Sequence, residues 1–63
     1  MPQELIQEYI GEVCNIMLFN ESFGVQGRIV EVKENWVKFE EKKRTRIINC
    51  DMIKYISIEK KKK

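Results

Sequence analysis

Between Val25 and Val32 the apolar residues change parity. Val25, Gly27 and Ile29 mark one face of a strand, and Val30 and Val32 fall on the other. A one-residue slip inside a period of two means a bulge or a sharp bend. Gly27 has no side chain to resist close backbone approach at that point. Small barrels need such bends to carry one strand across both sides of the fold.

The remaining elements fit around this strand. Residues 2–10 read as a short helix, with Pro2 at the first helical position and Gly11 just past the end. Leu5, Ile6, Tyr9 and Ile10 make an apolar stripe that must dock, because so short a helix is marginal alone. From Glu12 the period becomes two, with Cys14, Ile16 and Leu18 alternating with Val13, Asn15, Met17 and Phe19. Residues 20–24 form a turn cluster. After the bent strand, Lys33 and Glu34 make a tight connection to a third strand over residues 35–40. Residues 41–44 are a loop, residues 45–49 a fourth strand, and Ile53 to Ile58 a fifth, after an interruption at Cys50, Asp51 and Met52. The expected fold is mainly β: a short N-terminal helix followed by a five-stranded, strongly bent SH3-like barrel. An OB-fold usually needs a longer chain. One domain fills residues 1–58, and residues 59–63 are a basic tail without apolar side chains.

With 63 residues, a single core supplies only about 3–5 kcal/mol, so a further stabilising device is needed. The cysteines do not provide it: Cys14 and Cys50 are far apart and lack CxxC spacing, and read as small buried hydrophobes. His is absent, which removes a Cys2His2 zinc site and the usual base for a Ser or Cys nucleophile. Three isolated glycines make no phosphate loop, and the carboxylates are scattered. A non-enzyme without cofactor or metal is expected, and self-association is the remaining device. Glu4 and Glu8 stand where a secretory leader carries positive charge, and no apolar run approaches the ~20 residues that span a bilayer. Thiols without a leader suit a reducing compartment, so a cytoplasmic, non-membrane protein is expected.

The net charge of +2 conceals a division. Residues 1–41 carry eight acids and three bases, and residues 42–63 carry nine bases and two acids. The bases cluster at Lys42, Lys43, Arg44 and Arg46 and in the tail Lys60 to Lys63. Clustered bases concentrate a polyanion even when the total charge is small. A solvated loop and a solubilising tail are the plainer alternative.

The layout resembles the Sm-like family, which includes the bacterial Hfq proteins and the Sm and LSm proteins. The run Leu18-Phe19-Asn20 through Val25-Gln26-Gly27-Arg28-Ile29 looks like the first Sm motif, extending to Val32-Lys33. The run from Ile48 to Ile56 looks like the second, with apolar matches at Ile48, Ile53 and Ile56. Asn49-Cys50 replaces the family's Arg-Gly, and Lys33 replaces its Asp. The Lys-His pair with which Hfq helps bind uridines falls at about Cys50 and Asp51, so uridine specificity does not carry over. The resemblance implies a closed homo-oligomer, a hexamer or heptamer ring, in which strand four of one chain pairs with strand five of the next. Ile47, Ile48, Ile53, Tyr55 and Ile56 would supply its apolar contact.

It also implies a single-stranded RNA ligand. Lys33 and Asn35 lie where the first motif contributes to a nucleotide pocket, and Asn49 flanks the turn that closes it. Trp36 could stack a base or pack at a subunit contact. Lys42, Lys43, Arg44 and Arg46, repeated around a ring, would make a dense basic surface for phosphates. The residues also permit an SH3-like protein-interaction adaptor, or an Sm-like ring that does not bind RNA.

Overall fold

In a computed structural model the chain is described over residues 2–58. The order is α1 (Gln3–Gln7), β1 (Val13–Leu18), β2 (Val25–Lys33), β3 (Trp36–Glu41), β4 (Thr45–Asn49), a 3-10 turn η1 (Cys50–Met52) and β5 (Ile53–Ser57). All five strands join one antiparallel sheet in the order β4-β3-β2-β1-β5. The mainly-β expectation therefore holds. The sheet is open among the described residues, with β4 and β5 at its two ends, where the sequence reading expected a barrel. The basic tail, residues 59–63, lies outside the described residues.

The parity change in β2 is a bulge. Ile29 pairs with Phe39 and Glu31 with Lys38, which leaves Val30 as the extra residue. Ile29 and Val32 consequently both face the core while Val30 is exposed. Gly27 lies opposite Cys14 on one side and Glu41 on the other. A Cβ there would overlap the Glu40 carbonyl oxygen and come within 2.8 Å of the Phe39 ring. Only glycine fits between these two neighbours.

The core is formed by alternate residues of each strand, including Ile16, Ile29, Val37, Phe39 and Ile53, with Ile6 of α1 laid over it. The helix is shorter than the span 2–10 read from the sequence. Of its apolar stripe only Ile6 is buried, whereas Leu5, Tyr9 and Ile10 are exposed. With so little face docked, nothing sustains a second turn. Gly11, at φ 95°, turns the chain into β1, and its N–H donates to the Ile29 carbonyl at 2.7 Å.

The β2–β3 connection is also shifted from its expected place. Lys33 pairs with Trp36, so the two turn residues are Glu34 and Asn35, not Lys33 and Glu34. Their φ values of 50° and 68° meet the requirement of a type I′ hairpin, whose twist matches that of the flanking strands. The third strand accordingly starts at Trp36 and runs through Glu41, and the fifth ends at Ser57.

Of the five apolar residues expected at the strand-four and strand-five edges, Ile48 and Ile53 are already buried within the chain. Ile47 and Tyr55 point the other way and are 57% and 47% exposed. A charge at Ile48 would therefore damage the fold itself, whereas a charge at Ile47 leaves the core intact.

Cys14 and Cys50 are buried and form no disulfide. Burial pushes both thiols above their ordinary pKa of 9.0. A thiol whose pKa is raised by folding ionises first in the unfolded chain, so its contribution to stability fades as pH rises. Folded protein should resist iodoacetamide at neutral pH and lose stability above about pH 9, read as a falling urea midpoint. Rapid alkylation of the folded chain would contradict the burial. Among the described residues no helix is long and apolar enough to cross a membrane, and no group of three or more metal-binding side chains occurs.

Candidate nucleic-acid interface

The residues singled out in the sequence gather at the two ends of β3. At its start the β2–β3 hairpin meets the end of β4. Asn35 adopts the left-handed conformation that asparagine tolerates better than most residues, and three contacts fix it there. Its N–H donates to Gln3 Oε1 at 2.6 Å, its carbonyl accepts from the Cys50 N–H at 2.9 Å, and its Nδ2 lies 3.4 Å from Asn49 Oδ1. Asn49 Oδ1 also accepts the Asp51 N–H at 2.8 Å, capping the 3-10 turn.

Both asparagines thus hold the fold together, and each leaves half of its amide without a partner among the described residues. Among the described residues, Asn35 Oδ1 and Asn49 Nδ2 make no hydrogen bond. An acceptor and a donor are the groups that the edge of an unpaired base requires. Trp36 pairs with Lys33 on one side and Asn49 on the other, so these three residues and Asn35 share one corner of the sheet. The Trp36 ring is 47% exposed on the outer face, not in the core. It lines a shallow concavity with Glu31, Lys33, Lys38 and Ile47, in which Lys38 pairs with Glu31 at 3.5 Å.

At the other end of β3 the Glu41 N–H donates to the Arg44 carbonyl at 2.7 Å and closes a hairpin with Lys42 and Lys43 at its tip. Both lysines are exposed and make no ion pair among the described residues. Arg44 Nε lies 3.5 Å from Glu41. Arg46 differs from its neighbours. Its side chain is largely covered, its Nε donates to Glu41 Oε2, and its Nη1 lies 3.1 Å from Glu21 Oε2. Burial alone would lower its pKa, but hydrogen bonds to Glu41 and Glu21 outweigh that and raise it. With two carboxylates at its guanidinium, Arg46 is poorly placed to neutralise a phosphate. Lys42 and Lys43 are not so constrained.

Several participants escaped the sequence reading. Gln3 belongs to the helix and reaches Asn35 across 32 positions, a contact no local pattern encodes. Glu21 reaches Arg46 across 25 positions. Phe19 and Phe23, in and beside the β1–β2 turn, are exposed, and Phe23 could have been flagged as a large apolar residue in a turn cluster. Compared with family models, curated proteins and solved structures, the chain matches none.

Proposed function

We propose that this chain is an Sm-like, ring-forming and non-catalytic cytoplasmic protein that binds single-stranded RNA. The observation that carries the reading is the meeting of the Asn35 turn with Asn49. These are the two connections that, by resemblance to the Sm-like family, form a nucleotide pocket, and here they are joined by a hydrogen bond. Trp36 and Lys33 beside them offer a stacking surface and a cation.

The open sheet supports the ring. Unpaired strand edges invite pairing with another chain, and β4 and β5 are such edges. Pairing β4 of one chain with β5 of the next would cover both edges in every subunit and set Ile47 and Tyr55 at the contact. Closure into about six or seven subunits follows from the family resemblance. Such a ring supplies the stabilisation a 63-residue core lacks.

The pocket is tested with Asn35→Gly, because glycine keeps the positive φ that alanine would strain by roughly 1–2 kcal/mol. Binding of labelled oligo-A, oligo-U and oligo-C should change in rank order, with the salt dependence unaltered. Equal affinities for wild type and variant on every oligomer would remove Asn35 from the pocket.

A further inference from the structure

We propose that the chain's own basic tail, Lys60 to Lys63, docks on the surface formed by α1 and the start of β1, where Glu4, Glu8 and Glu12 receive it. The contact stands independently of the RNA reading, and only its effect on affinity rests on that reading.

The surface carries acids that nothing compensates. Glu4, Glu8 and Glu12 recur every four residues, all three are exposed, and none makes an ion pair among the described residues. Arg28, on the neighbouring strand, does not answer them, because its Nη1 donates to the Gly11 carbonyl at 3.0 Å. The backbone beneath the acids is fixed. The Glu12 carbonyl accepts the Ile29 N–H at 3.3 Å, and the Glu12 N–H donates to the Tyr9 carbonyl at 3.0 Å. That bond closes a turn, and Glu8 stands one residue outside it. Leu5, Tyr9, Ile10 and Val13 are exposed in the same segment, and the methylene stems of lysines can lie along such apolar side chains.

The fold directs the tail to this place. β5 pairs antiparallel with β1, Ile16 facing Ile56 and Asn15 facing Ser57. Ile58 packs against the core, so the chain is held up to the residue before 59. Two steps beyond Ser57 in the same register set residue 59 beside Val13, and a third sets Lys60 beside Glu12. The other side of Val13 is taken by Arg28 of β2, which leaves the side towards β5 for this extension. Opposite charges facing each other across a ladder attract. Lys61 to Lys63 reach at most about 10 Å further, enough to cross the turn back to Glu8.

Four lysines against three carboxylates are closely matched in charge. Each exposed pair is weak, but tethering places the tail at an effective concentration of about the millimolar range. RNA is a poor occupant of the same surface, because the acids repel its phosphates. The acids therefore hold the tail in the free protein, and RNA must draw it away. The rival occupant is the Lys42–Lys43 hairpin of a second copy.

The test compares amide proton–nitrogen spectra of the full chain with those of a variant in which Lys60 to Lys63 are replaced by Gln. At low salt the amides of Gly11, Glu12 and Val13 should shift. The difference should vanish near 1 M salt, where charges are screened within about 3 Å. Unchanged amides at low salt would overturn the inference. The same shifts produced by Lys42→Gln/Lys43→Gln, and not by the tail variant, would assign the acids to another copy and overturn it too. A second readout is binding of labelled oligo-A at low salt. Glu8→Gln/Glu12→Gln should strengthen it about threefold with the native tail and leave it unchanged with the Gln tail. An equal gain with both tails would mean that the acids only repel phosphate, and would overturn the coupling. Failure of the wild type to bind the oligomer would overturn the RNA reading, and the spectra would still decide the tail contact.

Discussion

Gly27→Val is expected to leave the chain unfolded at 25 °C. The Cβ at this position would overlap the Glu40 carbonyl oxygen and press on the Phe39 ring. Neither neighbour yields without cost: Glu40 pairs with Arg28 and Thr45 in the sheet, and Phe39 is wholly buried. Overpacking a core costs about 1–3 kcal/mol even for smaller intrusions, and valine adds two branches beyond the Cβ. A domain of this size holds only about 3–5 kcal/mol from its core. Gly27→Ala should therefore survive with a much lower urea midpoint, and Gly27→Val should show no cooperative transition by circular dichroism. A wild-type midpoint in either variant would mean that β2 and β3 do not approach as closely as described.

The second large effect concerns charge. Replacing Lys42, Lys43 and Lys60 to Lys63 by Gln should weaken binding of a single-stranded oligoribonucleotide on the order of a hundredfold at low salt, and flatten its salt dependence. Each lost phosphate contact lowers the logarithmic salt slope by about 0.7 for a single strand. Base preference should not change, because phosphate contacts carry no sequence information. Arg46→Gln should have a smaller direct effect on the slope than either lysine. Its charge already faces Glu41 and Glu21, where the sequence reading had grouped it with the phosphate-binding bases. Equal slopes for the sextuple variant and wild type would refute an electrostatic interface.

What was legible in the sequence follows from the range of the forces involved. Alternating apolar residues report which side of a strand faces the core, and the slip between Ile29 and Val30 marked the bulge directly. Asn49 was placed beside the turn after the fourth strand, and the structure uses it as the cap of that turn. The helix was overextended because its stripe was taken to dock whole, whereas only Ile6 finds a place in the core. The hairpin was misplaced by one residue because Glu34 is an unusual occupant of a positive-φ site, and local chemistry favoured a turn beginning at Lys33. The Arg46 clamp was invisible for a different reason. Its partner Glu21 is brought near by the sheet, not by sequence spacing, so a base in a cluster of bases looked free.

The central claim, a ring of Sm-like subunits that binds RNA, is tested most directly by light scattering of the purified protein, alone and with single-stranded RNA. The expected result is a single species of roughly six or seven times the 7.6 kDa chain mass at micromolar concentration, which gains the mass of bound RNA. Ile47→Glu, which leaves the core untouched, should shift that species to smaller mass. A stable, folded 7.6 kDa monomer that takes up no RNA at low salt would contradict the account.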